Sequence, residues 1–251
     1  FRKKKVFFGK KFTNLFPNGP ILGILVPKKR SLEMNWLRKE KGKILIEGMD
    51  LSGKTTITKY LSELMNIDRI QTRTLSDDSA IYDFTVAQSK KGKLHPDLIN
   101  KLYTLAIYED LYNYKPKEDC IILQDSYFAL RSYALMQRKY PENLAKEVHK
   151  LLQLFPKPEL AFYLTASTEE RLRRNEKRDK PMAYMEKLLV SNPKEFETIE
   201  RNLRDITVSL FDAEIINTQD KKPNEIALYI GSKIQERILK RNRGEDVYER
   251  E

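Results

Sequence analysis

With 251 residues, 40% of them apolar, the chain can bury one substantial core but not two full domains. The single cysteine, Cys120, excludes a disulfide framework and implies a reducing compartment, the cytoplasm being the expected location; two isolated histidines, His95 and His149, leave no zinc spacing. The net charge of +11 is local, because residues 1–33 hold nine Lys/Arg against Glu33 while the remaining 218 residues carry 38 Lys/Arg against 35 Asp/Glu. Basicity therefore belongs to an arm over residues 1–33, and the folded part is expected over residues 34–251. Since the sequence starts at Phe1 and Met34 stands at a natural distance before the first strand, the arm is read as appended or upstream-derived sequence, or as an arm of separate function. A targeting peptide, or contact with nucleic acid or an acidic membrane, are the alternatives for it. No apolar run reaches the length of a membrane span; Ile21–Val26 is interrupted by Gly23.

Taken in chain order, Ile44–Ile46 reads as a buried strand, and the run Gly48-Met-Asp50-Leu51-Ser52-Gly53-Lys54-Thr55-Thr56 follows it. Beyond that, Ile57, Tyr60, Leu61 and Leu64 fall at i, i+3, i+4, i+7, the stripe of an amphipathic helix. Apolar strand patterns recur at Lys43–Glu47, Arg69–Leu75, Cys120–Gln124, Leu160–Leu164 and Ala213–Asn217, and helical patterns at 54–66, 96–113, 127–137, 143–154, 168–178, 193–211 and 223–240. The polar stretch Ser76–Leu94 is expected to be a loop. This alternation predicts an α/β sandwich of three layers, a five-stranded parallel sheet with helices on both faces, in which ligands bind at the carboxyl ends of the strands.

Strand, glycine loop and helix together make an anion cradle: G-x-x-x-x-G-K-[ST], here Gly48, Gly53, Lys54 and Thr55, wraps a polyphosphate in loop amides at a helix N-terminus. In that reading Gly48, Leu51, Ser52, Gly53, Lys54, Thr55 and Thr56 hold ATP, Lys54 reaches the β/γ-phosphates and the Thr55 hydroxyl ligates Mg²⁺. A glycine turn with no ligand is the bland alternative. Asp125, after the third strand, suits Mg²⁺ binding through water or acceptance of a proton, and equally the N-cap of the next helix. Arg131, one turn on, is placed to point back toward the site or to stand in solvent. Ser167-Thr-Glu-Glu170 spells a capping box, and in the helix it opens Arg171, Arg174 and Arg178 lie at i, i+3, i+7 with Lys177 beside them. Cations so placed suit an arginine-rich lid over a transferring phosphoryl group, or else a solvated helix carrying Glu170–Arg174 pairs.

These residues resemble the thymidylate kinase family of P-loop nucleoside monophosphate kinases over roughly Lys43–Ile238. The most specific element is Glu47-Gly-Met-Asp50-Leu-Ser-Gly-Lys-Thr-Thr56, similar to the family's E-G-x-D-x-S-G-K-T-T. The resemblance implies a P-loop NTPase fold, ATP and Mg²⁺, and a homodimer formed through helices beside the sheet. It implies that Asp50 holds the sugar 3′-hydroxyl of the acceptor, and that Asn217-Thr218 and the loop after it fall where adenine sits. Asp125-Ser126-Tyr127 resembles the D-R-Y motif, with Ser126 replacing the arginine. Leu51 stands where some members have an arginine; members lacking it supply arginines from the lid, as Arg171, Arg174 and Arg178 would. Thr72-Arg73-Thr74-Leu75 replaces E-P-G, and Tyr103–Leu111 lacks the arginine that grips the acceptor phosphate. Each missing charge-assisted contact is worth about 1.5–3 kcal/mol.

The expected reaction is phosphoryl transfer from ATP-Mg²⁺ to a nucleoside monophosphate, dTMP to dTDP. Lys54, Asp125, Arg171, Arg174 and Arg178 are the catalytic candidates, with Asp50, Arg73, Tyr127 and Arg131 on the acceptor and Thr55 and Asp125 on the metal. A kinase of a deoxynucleoside or other small hydroxyl acceptor, which would use Asp125 as base, and a non-catalytic nucleotide-binding protein are the alternatives. A GTPase is disfavoured because Thr218 replaces the lysine of N-K-x-D and Asp125-Ser-Tyr-Phe128 lacks the glycine of D-x-x-G.

Overall fold

Ile44, Leu45 and Ile46 are all buried, as a strand covered on both faces requires. The computed structural model describes residues 40–243 apart from 77, 93, 117–119 and 140–141; the arm expected over 1–33 lies outside the described residues. The central strand β1 (Glu40–Glu47) pairs in parallel with β3 (Ile122–Tyr127) and β4 (Pro158–Thr165). At the edges stand β2 (Ile70–Arg73), beside β3, and β5 (Glu214–Asn217), beside β4, giving the order β2-β3-β1-β4-β5.

Helices α1 (Lys54–Met65) and α9 (Pro223–Asn242) cover one face. Their Ile57, Leu61, Ile226, Ile230 and Ile234 close over Ile44, Ile46, Leu123, Phe162 and Leu164. Against the other face lie α3 (Pro96–Asn113), α4 (Phe128–Lys139), α5 (Glu142–Leu152) and α8 (Pro193–Phe211), with α2 (Ala80–Lys91) packed on α3. Between β4 and α8 the chain forms α6 (Thr168–Glu176) and α7 (Tyr184–Ser191), the latter packed on α8. Among the described residues no helix is long and apolar enough to cross a membrane.

The architecture agrees with the sequence reading in its five strands and in the helices of both faces. It differs at three places. The stretch 76–94 is not a loop: it contains α2, whose buried positions are Tyr82 and Thr85, so a polar residue occupies half of the inward stripe and hides the helical period. A further helix, α7, occupies Tyr184–Ser191. Strand β3 runs to Tyr127, so Asp125 pairs with Ile46 and Thr72 inside the sheet and does not cap α4.

Candidate functional site

Between β1 and α1 the chain must turn sharply beside β4, and Gly48 makes that approach: a Cβ there would sit 2.3 Å from the Leu164 carbonyl oxygen, at φ +147°. Leu51 takes a left-handed φ of 64°. What the loop does with its backbone is systematic. The Gly48 carbonyl accepts from Lys54 Nζ (2.6 Å) and Arg131 Nη2 (2.8 Å), and the Met49 carbonyl from Lys54 Nζ (3.0 Å) and the Ser52 amide (3.2 Å). Arg171 Nη1 holds the Asp50 carbonyl (2.5 Å), Arg174 Nη1 the Leu51 carbonyl (2.9 Å), Thr218 Oγ1 the Ser52 carbonyl (3.1 Å) and the Ile57 amide the Gly53 carbonyl (3.0 Å). Every carbonyl from Gly48 to Gly53 is thus occupied. The amides of Leu51 and Gly53 have no acceptor among the described residues, and the first turn of α1 has no side-chain cap. A loop with its acceptors filled and its donors open is built for an anion.

Lys54 is buried, and that burial, together with Arg131, brings its pKa down to about 8 against the pull of Asp50, Glu47 and Asp125. The Thr55 hydroxyl donates to Asp125 Oδ2 at 3.2 Å. Glu47, to which the sequence assigned no role, is completely buried under the loop and accepts from the Gly48 amide (2.9 Å) and the Tyr127 amide (2.9 Å). Burial raises its pKa, against Arg131 and Lys54.

The structure brings Asp50, Arg131 and Arg73 into one electrostatic cluster. Arg131 does point back from α4: its Nη1 donates to Asp50 Oδ1 at 2.7 Å and its Nε lies 3.8 Å from Glu47 Oε1. Burial pulls the Arg131 pKa down, but the Asp50 and Glu47 carboxylates outweigh it and raise it; burial likewise works against the Asp50 carboxylate, which Arg131 and Lys54 nonetheless hold below its usual range. Arg73 donates to the Tyr82 hydroxyl at 3.2 Å, and Tyr82 stacks on Phe128, with Tyr103 completing an aromatic triad at centroid distances of 4.5–6.4 Å. The triad was not legible, because Tyr82 belongs to the helix read as a loop.

Two expected contributions need correction. The Tyr127 ring is fully buried in the core, edge-on to Phe155 (5.5 Å) and Phe211 (6.0 Å), and only its amide reaches the site. The cause is a bulge: β2 pairs Thr72 with Asp125 and then Arg73 with Tyr127, so Ser126 (φ +63°) is an extra residue and the alternation of faces flips after it. The carboxylates Glu109 and Asp110 of α3 explain the missing arginine differently. Asp110 is spent on the Leu75 and Ser76 amides (2.7 and 2.8 Å), and Glu109 on the Ile81 amide (2.9 Å).

The second correction concerns the arginines of α6. Ser167 caps the helix by accepting from the Glu170 amide (3.2 Å), but the Glu170 carboxylate turns to Arg173 and Arg174, chiefly Arg173, which takes its pKa down to about 2. Arg171 is fully buried, with Nε on the Ala166 carbonyl (3.0 Å), Nη2 on Glu200 and Nη1 on the Asp50 carbonyl, so its guanidinium is taken up by protein acceptors, one of them in the loop itself. Arg174 grips Leu51 and both oxygens of Thr218. The helix ends at Glu176, so Arg178 leaves the shared face and pairs with Glu186 of α7.

The donor set fits a polyphosphate: open amides, a buried lysine and a helix start converge on one loop. It also fits Mg²⁺ arriving with that phosphate. Among the described residues no cluster of three or more His, Cys, Asp or Glu is placed to hold a metal, whereas Mg²⁺ in such sites takes one or two protein oxygens, a number that Thr55 and Asp125, 3.2 Å apart, could supply.

Among solved structures, the fold is similar to that of thymidylate kinase from Candida albicans, 18% identical over 78% of this chain and 91% of that one, with a TM-score of 0.52. It is similar also to deoxyadenosine kinase from M. mycoides, described with the products dCMP and a flexible dCDP bound, 18% identical over 77% of this chain and 99% of that one, with a TM-score of 0.53. At these identities the likeness is one of fold. No curated protein matches the sequence. The family model for thymidylate kinase matches residues 46–227, most of the described chain, with the cradle at Gly48–Thr56 and the arginine-bearing α6 inside the match, and the chain belongs to the thymidylate kinase family.

Proposed function

We propose that the chain transfers the γ-phosphoryl group of ATP-Mg²⁺ to a nucleoside monophosphate, with dTMP as the expected acceptor. The observation that carries this is the loop whose carbonyls from Gly48 to Gly53 are all engaged by protein donors while the Leu51, Gly53 and α1 amides are left for a ligand. When bound, Mg²⁺ would neutralise charge that develops in transfer.

The chain's own residues do the rest. Leu51, Ser52, Gly53, Lys54, Thr55 and Thr56 offer backbone and side-chain donors around the phosphates. Lys54 gives up the Gly48 and Met49 carbonyls for phosphate oxygens, and a polyphosphate beside it restores the charge that burial disfavours. Thr55 and Asp125, 3.2 Å apart, would hold the metal. Arg178, its side chain 42% exposed, stands in the connection between α6 and α7 and is suited to a closing lid. Asp50 takes the acceptor sugar, and Arg131 and Arg73 offer the acceptor phosphate the cations that Ser126 and α3 do not. The Tyr82–Tyr103–Phe128 triad supplies aromatic faces for a base.

A second reading, a deoxynucleoside kinase, is favoured by one observation: α3 carries Glu109 and Asp110 where a phosphate-gripping arginine is expected. Assaying ADP formation by the full chain with dTMP, dUMP, thymidine and deoxyadenosine separates the two. Turnover on the monophosphates supports the first reading. Turnover confined to nucleosides overturns it and makes Asp125 the base.

A further inference from the structure

Arg171 is the largest fully buried side chain among the described residues, and its spacing with Arg174 suggested a cation aimed at phosphate. Its surroundings say otherwise. The guanidinium is anchored on two rigid elements: Nε donates to Ala166 at the end of β4 (3.0 Å), and Nη2 pairs with Glu200 of α8. Glu200 is itself fixed, its carboxylate accepting from Thr165 Oγ1 (2.9 Å) and its carbonyl from the Tyr163 hydroxyl (3.3 Å). The Phe196 ring lies 5.4 Å from the guanidinium carbon. What remains is Nη1, and it holds the Asp50 carbonyl at 2.5 Å.

A trans peptide points its C=O and its N–H in opposite directions. Pinning the Asp50 oxygen on the α6 side therefore turns the N–H of the same peptide, that of Leu51, to the other side. Leu51 stands at φ +64°, a left-handed conformation that is unfavourable for a leucine unless its surroundings hold it. Arg174 repeats the hold on the next carbonyl and ties it to Thr218 after β5. We infer that Arg171 is a positioning residue that, through the Asp50 carbonyl, sets the Asp50–Leu51 peptide with its amide facing the phosphate cradle. The residue touches no ligand. Its planar fork is what the task needs, since three acceptors in different directions are held at once, which a lysine ammonium on a flexible stem does not reproduce. The effect on nucleotide rests on the reading of the loop as a phosphate cradle; the effect on the loop does not.

Two variants of the full chain test it, Arg171→Lys and Glu200→Gln, each first checked for an unchanged cooperative melt. In the ligand-free protein, amide hydrogen exchange over residues 47–53 should rise about tenfold in Arg171→Lys, the scale of one lost charge-assisted hydrogen bond, with α9 unaffected. By calorimetry, ADP affinity should fall about tenfold to a hundredfold while adenosine, which lacks the phosphates, moves by less than about twofold. Glu200→Gln should act in the same direction and more weakly. Unchanged loop exchange in both variants overturns the assignment, as does an equal loss of ADP and adenosine. Should the unaltered protein bind no ADP, the cradle reading fails, and the exchange experiment still decides the role of Arg171.

Discussion

Replacing Arg131 by alanine removes two hydrogen bonds, to Asp50 Oδ1 (2.7 Å) and to the Gly48 carbonyl (2.8 Å), and a cation 3.8 Å from Glu47. Charged bonds of this kind contribute about 1.5–3 kcal/mol each. Asp50 keeps 22% of its side-chain surface and is rehydrated, so its share sits at the low end; Glu47 has no surface at all and keeps only the Gly48 and Tyr127 amides and the Lys54 charge to offset its burial. The sum is about 3 kcal/mol, at the lower edge of what breaking a buried pair costs. For a domain of this size that lowers Tm by about 6–12 °C. Urea denaturation of Arg131→Ala, Glu47→Gln and the double variant measures it. If the buried charge is the cause, adding Glu47→Gln to Arg131→Ala should recover at least about 1 kcal/mol. A Tm within about 2 °C of the parent, or strictly additive losses, would refute the reasoning.

Three further outcomes follow from the same geometry. Gly48→Ala drives a methyl group to 2.3 Å from the Leu164 carbonyl oxygen and should abolish ADP binding in a titration; retained affinity would mean that the loop does not need this close approach. Tyr82→Ala, which frees Arg73 and opens the triad, should raise KM for the acceptor at least about tenfold with KM for ATP little changed. The Glu170 pKa is depressed from 4.5 to about 2 by Arg173 and Arg174, so its stabilisation is full above pH 4.5 and is lost as pH falls toward 2. Glu170→Gln should accordingly flatten the stability profile across that window, and an unchanged acid limb in pH-dependent melting would contradict the pairing.

What the sequence disclosed follows the strength of local signals. Strand β1, the loop and α1 were legible because the apolar run Ile44–Ile46, a glycine loop and an i, i+3, i+4, i+7 stripe occur in close succession, each with one sufficient cause. Helix α2 was not, since it buries Thr85 beside Tyr82 and leaves Phe84 about half exposed, which breaks the rule that apolar means inward. Tyr127 was misplaced by one inserted residue: no local pattern announces a bulge at Ser126, yet it decides which face every later side chain takes. Arg171, Arg174 and Arg178 shared a helical face on paper. Spacing says which side a residue leaves the helix from, but not whether its guanidinium reaches a phosphate, a carbonyl or a carboxylate. That choice was made by partners remote in sequence, Glu200 and Thr218 among them. For Arg131 the sequence left two directions open, and its place one turn of helix after a strand end turns it back to Asp50.

The loop at Gly48–Thr56 is proposed to hold ATP for transfer of its terminal phosphoryl group. The most direct measurement is transfer of label from γ-labelled ATP-Mg²⁺ to dTMP by the full chain, beside Lys54→Ala. The account predicts labelled dTDP, reduced at least about a hundredfold in the variant, the scale for removing one donor aimed at developing charge. Label transfer that survives Lys54→Ala, or no transfer to any nucleotide by a protein that binds ADP, would contradict it.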